Sequence, residues 1–163
     1  MKKILVLSDT HGNLKALDKL VDIMRESDLI LFAGDGANDF NLLPDDVRQK
    51  IHAVKGNCDF GSTLEKELVI DVEDSRIFLT HGDVFAVKST MEHLLKRAKD
   101  NNCNVVVYGH THDKRIQEID GITFINPGEL ITYAYHKTFG YLVINGRSVT
   151  ASINEKFFQE YSI

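Results

Sequence analysis

Apolar residues along this chain come in short continuous runs rather than long alternating or helical stripes. Residues 4–7, 29–32, 51–54 and 105–108 each read as a strand buried on both faces. Between the first two runs, Leu14, Leu17, Leu20, Val21 and Met24 fall on one helical face. Residues 45–50 predict a second, shorter helix. The order strand, helix, strand, helix, strand predicts a mostly parallel sheet with crossover helices.

The pattern changes further on. Residues 64–72 and 75–80 predict two strands joined by a hairpin at Glu73-Asp74. Residues 89–100 predict a helix with Met91, Leu94, Leu95 and Ala98 inward and Ser89 or Thr90 as N-cap. The rest reads as strands at 114–119, 122–126, 138–144 and 148–154, with Asp120-Gly121 and Asn145-Gly146 as two-residue hairpin turns. The expected architecture is an α/β fold, a two-sheet β-sandwich flanked by helices, in one domain over residues 1–163.

Length and composition narrow the function classes. The chain has 163 residues, is 43% hydrophobic and 26% charged, and carries a net charge of -5. That charge does not attract a nucleic acid polymer. The densest basic run, Lys96-Arg97-Ala98-Lys99, reads as the solvated end of a helix. Cys58 and Cys103 are too few for a disulfide framework and fit a reducing, cytoplasmic setting. The apolar run after Met1 is too short for a signal peptide, and no stretch predicts a membrane span.

The chemistry sits where the strands end. Asp9-Thr10-His11, Gly34-Asp35, Gly56-Asn57-Cys58-Asp59, His81-Gly82 and Gly109-His110-Thr111-His112 each follow a predicted strand. In open α/β sheets, ligand sites lie beyond the carboxyl ends of strands. Seven donors, Asp9, His11, Asp35, Asn57, His81, His110 and His112, can therefore share one edge. Carboxylate and imidazole donors suit Mn, Fe, Zn, Co or Ni, with manganese preferred here, and enough are present for two divalent ions. Asp35, alone in its motif, is the candidate bridge. Two divalent ions less two carboxylates and a hydroxide leave a charge of about +1, suited to a phosphate ester. Taken singly, Asp-x-His is a weak signal, Gly-Asp and Gly-Asn-x-Asp are ordinary turn chemistry, and Gly-His-x-His is more specific; the joint occurrence carries the argument. His52, His93 and His136 read as a strand residue, a helix-surface residue and a loop residue without a role in the site, His136 alone sharing the general bias of loops towards function.

As an ordered set, these motifs closely resemble the calcineurin-like metallophosphoesterase superfamily, in its small bacterial and archaeal phosphodiesterase branch. The resemblance extends to the Asn126-Pro127-Gly128 turn. It implies a four-layer α/β/β/α fold. It implies one metal held by Asp9, His11, Asp35 and His112, and a second held by Asp35, Asn57, His81 and His110. It implies in-line attack on phosphorus by a hydroxide bridging the two ions, with Asn57 and His110 also touching the phosphate. Many members carry His where this chain has Cys58, and that His serves the leaving group. A thiol of pKa about 8.5 is a weak substitute at neutral pH, which predicts a preference for activated leaving groups. Cys58 otherwise reads as a small buried loop residue. Asp59 reads either as an orienting partner of a ligand or as a turn-stabilising residue.

The expected function is thus hydrolysis of a small phosphate diester, nucleotide-derived diesters included. The alternative is a protein-binding scaffold of the same fold, resembling the retromer subunit. A nuclease fits less well, since nucleases of this superfamily usually carry further domains. Exposed strand edges and the tail residues Phe157-Phe158 leave room for a homodimer or homotetramer; the same aromatics could instead cap the core.

Overall fold

The computed structural model describes residues 1–159. Among the described residues, ten strands form two five-stranded sheets. The first has the order β10-β9-β1-β2-β3 and the second β4-β5-β6-β8-β7. In the first sheet β1 (Lys2–Leu7), β2 (Leu29–Phe32) and β3 (Ile51–Ala53) are parallel, as the alternating elements predict. The hairpin β9 (Phe139–Asn145) and β10 (Ser148–Asn154) completes it, β9 lying antiparallel to β1. In the second sheet β5 (Ser75–Thr80), β6 (Val105–Val107) and β8 (Ile122–Asn126) are parallel. β4 (Glu67–Val72) and β7 (Arg115–Ile119) form antiparallel edges.

The continuous apolar runs are explained by burial on both sides. Successive residues of a strand point to opposite faces. Ile4 and Val6 face the second sheet and meet Ile77, Leu79, Val105 and Val107. Leu5 and Leu7 face outward and pack with Leu17, Leu20 and Met24 of the covering helices. On the far side, Phe78, Val106 and Phe124 pack under Leu94 and Ala98. The result is helix, sheet, sheet, helix. Each fully buried Leu, Ile or Phe contributes about 1.5–3 kcal/mol relative to exposure.

Helix boundaries depart from the periodicity. The first predicted helix is two, α1 (Leu14–Lys19) and α2 (Val21–Glu26), meeting at Leu20. Asn13 caps α1 by accepting from the Ala16 N–H, and its own amide donates to the Leu130 carbonyl. α3 is a single turn, Asp45–Arg48. α4 runs Glu92–Asp100, starting three residues later than expected. Residues 83–85 form a 3-10 turn, and Ala86, in the left-handed region at φ 54°, ends it, so 86–90 is a turn and not helix. Neither Ser89 nor Thr90 is the N-cap, although the Thr90 hydroxyl accepts from the Glu92 N–H. The last hairpin pairs Asn145 with Ser148, which moves its turn one residue on, to Gly146-Arg147.

Phe157 and Phe158 are half-buried and pack edge-on against Phe139, so the tail aromatics cap the core. Lys96, Arg97 and Lys99 on α4 pair with Asp100, Glu67 and Asp120. That basic run is internally neutralised.

Candidate metal centre

All seven candidate donors meet at one end of the two sheets. β1 delivers Asp9 and His11, β2 delivers Asp35, the loop after β3 delivers Asn57, β5 delivers His81, and β6 delivers His110 and His112. Asp9, Asp35 and His81 are buried; His11, His110 and His112 are half-buried; Asn57 and Cys58 are exposed. Cys58 is therefore not the buried loop residue its type suggests.

Five of the seven sit in the left-handed backbone region: Asp9 (φ 53°), His11 (φ 43°), Asp35 (φ 60°), His110 (φ 68°) and His112 (φ 63°). Non-glycine residues seldom adopt it, and clusters of such residues mark functional sites. Close approach of the loops sets where glycine is needed. A Cβ on Gly56 would stand 2.1 Å from Asp35 Oδ1, and one on Gly109 would stand 2.0 Å from Ser8 Oγ and 2.7 Å from Asp9 Oδ2.

The two aspartates are held in the same way. Asp9 Oδ2 accepts from the Ser8 hydroxyl and from the His110 N–H at 3.2 Å. Asp9 Oδ1 has no hydrogen-bond partner, yet lies 3.1 Å from His112 Nε2 and 3.6 Å from His11 Nε2. Asp35 Oδ1 accepts from the Cys58 N–H at 2.8 Å. Asp35 Oδ2 lies 3.5 Å from His11 Nε2 and 3.3 Å from His81 Nε2. One oxygen of each carboxylate is thus anchored to protein and the other faces imidazole nitrogens.

The imidazoles are oriented from behind. His81 Nδ1 lies 2.7 Å from the Ala33 carbonyl, which accepts its proton. His112 Nδ1 lies 2.6 Å from Glu129 Oε2, again an acceptor only. In the neutral ring, Nε2 of each is then a lone pair. His81 Nε2 faces Asp35 Oδ2, Asn57 Oδ1 at 3.0 Å and His110 Nδ1 at 3.2 Å. Lone pairs gathered so closely need a positive charge between them. Around an ion bound at about 2.1 Å, neighbouring donors stand about 3.0–3.4 Å apart. The observed separations match that spacing, and His11 Nε2 is likewise a buried atom without a hydrogen bond. The residues fit a metal.

Electrostatics tell the same story. Burial opposes ionisation of Asp9, but the nearby imidazoles of His11 and His112 and the field of His81 outweigh it and hold the carboxyl well below the usual range. Burial likewise opposes ionisation of Asp35, and contacts with His81 and the Cys58 N–H prevail. His11 is pushed up by the nearby Asp9 carboxylate, against burial. His81 is pushed up although burial works against it, through Asp35 and Asp9, and His112 is pushed up chiefly by Asp9. His110 is pushed down by burial, then by His81 and Lys88. The two carboxylates thus favour positive charge at the three imidazoles beside them.

Asp59 resolves the choice posed by its position in favour of loop bracing. Its carboxylate accepts from the N–H groups of Asp35 (2.9 Å), Gly36 (2.8 Å), Ala37 (2.9 Å) and Gly56 (2.7 Å). It ties the loop carrying Asp35 to the loop carrying Asn57. Sequence reading did not find Glu129, behind His112, or Asp39, which accepts from the Thr10 hydroxyl and the Gly12 N–H. Neither stands in a motif. His136 sits in an exposed loop beside Gln159, His93 is on the surface of α4, and His52 is within β3.

Residues 1–148 match the family profile described as the calcineurin-like phosphoesterase superfamily domain. The chain is 30% identical over 155 residues to phosphodiesterase YfcE of Escherichia coli, spanning 80% of each chain. Among solved structures, a Streptococcus pneumoniae protein described as a predicted phosphoesterase superposes with a TM-score of 0.80 at 24% identity, covering 95% of this chain and 90% of that one. Vps29 of Entamoeba histolytica, solved in complex with zinc, superposes with a TM-score of 0.72 at 23% identity, covering 94% and 98%. The last two likenesses establish the fold.

Proposed function

Because the chain belongs to the calcineurin-like phosphoesterase superfamily, we propose that it is a phosphodiesterase working with two divalent metal ions on small phosphate esters. The observation that carries this reading is Asp35 Oδ2, which lies 3.5 Å from His11 Nε2 and 3.3 Å from His81 Nε2. One oxygen serves two donor sets. Asp9, His11, Asp35 and His112 would hold one ion; Asp35, Asn57, His81 and His110 would hold the other. When bound, the ions polarise the phosphoryl oxygens and supply a water-derived nucleophile at neutral pH. Manganese is the first candidate, with nickel, zinc, iron and cobalt sharing the donor preference.

The chain's own groups do the rest. The Asn57 amide presents Oδ1 to the cluster, and its NH2 can donate to a phosphoryl oxygen. His110 turns Nδ1 towards His81, leaving Nε2 for the phosphate. Cys58 stands exposed at the rim, its backbone fixed by Asp35. Burial and the neighbouring Asp35 push its thiol up, so it stays protonated at neutral pH and is a weak acid towards a leaving group. Esters with good leaving groups are then the better substrates.

Hydrolysis of an aryl phosphodiester with added manganese or nickel tests the proposal. The second reading, a protein-binding scaffold, is favoured by the likeness to Vps29. Metal binding without hydrolysis of any phosphate ester would support it. The acidic surface and the neutralised basic run on α4 argue against a nucleic acid polymer as substrate. Two unpaired thiols suit a reducing, cytoplasmic compartment, and among the described residues no helix is long and apolar enough to cross a membrane. Uncovered edge strands would allow a homodimer or homotetramer.

A further inference from the structure

A cleft of about 520 Å³ opens beside the candidate metal centre. It adjoins the centre through two loops. Thr111, between His110 and His112, is in its wall; so is Val87, whose side chain packs on Gly82 directly after His81.

The cleft is lined by Lys88 and Arg115, with the hydroxyl residues Ser89 and Thr90 between them in sequence and Asp113 as the one acidic group. Among the described residues Lys88 and Arg115 make no ion pair, unlike the basic residues of α4. The Asp113 main chain is held by the Thr111 hydroxyl, which also accepts from Asn126. The cleft therefore carries a net positive charge on a chain that is acidic overall. A guanidinium, an ammonium and two hydroxyl residues lining one cleft match a phosphate group.

We propose that this cleft binds a second phosphate carried on one arm of the substrate, making phosphoesters with a further phosphate the preferred substrates. This rests on the reading of the neighbouring cluster as a phosphoesterase centre. A diester bound there has two arms, and the arm on the His110 side meets Lys88 and Arg115. An arm without charge leaves both cations unpaired, and an arm ending in phosphate neutralises them.

Two measurements separate the proposal from the activity it rests on. The first compares kcat/KM for bis(4-nitrophenyl) phosphate and for the 5′-(4-nitrophenyl) ester of thymidine 3′,5′-bisphosphate. The wild type should favour the second, and the double substitution Lys88→Ala/Arg115→Ala should shrink that preference about tenfold or more. The second is calorimetric binding of thymidine 3′,5′-bisphosphate against thymidine 5′-monophosphate to the manganese-loaded protein. The bisphosphate should bind about tenfold tighter, and the gap should close in the double variant. Equal affinities in the wild type, or an unchanged gap in the variant, overturn the subsite. A gap that behaves as expected without hydrolysis of either ester keeps the subsite and removes the phosphodiesterase reading.

Discussion

Glu129 Oε2 lies 2.6 Å from His112 Nδ1, and this contact decides which face His112 turns to the metal centre. A carboxylate can only accept, so the proton is on Nδ1 and Nε2 points at Asp9 Oδ1. Carboxylate partners of this kind orient metal-binding histidines and raise their basicity. Glu129→Ala should lower affinity for one metal ion by about 10- to 100-fold while leaving the other site loaded. Calorimetric metal titration reads this as two separated binding steps in place of two close ones.

Asp59 braces two ligand loops through four backbone N–H groups. Removing the carboxylate leaves those donors without their acceptor. Asp59→Ala should destabilise the metal-free protein by about 2–4 kcal/mol in urea unfolding, with Asp59→Asn recovering part of the loss. A change below about 0.5 kcal/mol would show that water replaces the brace without cost.

Metal affinity should rise with pH. His11, His81 and His112 are pushed up in the metal-free protein, mainly through Asp9 and Asp35. Below their raised values they hold protons that an incoming cation must displace. The sign for stability is opposite. Groups raised in the fold stabilise it fully below the unfolded histidine value of about 6.5, and that contribution fades as pH climbs through the folded values. The metal-free protein should lose stability from neutral pH upward, and manganese should restore it. Thermal unfolding across pH 6–9, with and without metal, checks both signs.

The two thiols should react differently. Cys58 is exposed, whereas Cys103 is buried and pushed up to about 11. Since the thiolate is the nucleophile, iodoacetamide should modify Cys58 alone in the folded protein, faster as pH rises. Cys58→His should raise turnover of unactivated alkyl diesters relative to aryl diesters. An unchanged ratio would remove Cys58 from the leaving-group side.

Much of this fold is readable in the chain because its central strands are buried on both faces. Runs such as 4–7 and 105–108 have no other simple explanation, and Asp120-Gly121, both at positive φ, is the turn its residues advertise. The break at Leu20 is not readable. Leu17, Leu20 and Met24 keep helical spacing across it, and no Gly or Pro marks it. The late start of α4 has a similar cause: Ser89 and Thr90 are good capping types, but the left-handed Ala86 commits the chain to a turn before them. In the site, donors that follow strands were legible as motifs. Glu129 was not, because its tie to His112 depends on how the segment after β8 folds back, which no local pattern encodes.

The central claim is that Asp35 is shared by two ions. The most direct measurement is manganese bound per chain, for the wild type and for Asp35→Asn, read alongside hydrolysis of bis(4-nitrophenyl) phosphate. A shared Asp35 gives about two ions per wild-type chain and, in Asp35→Asn, weakened binding at both sites with hydrolysis lowered about 100-fold or more. One ion per wild-type chain with full activity, or an Asp35→Asn protein that still binds two ions and hydrolyses normally, would contradict it.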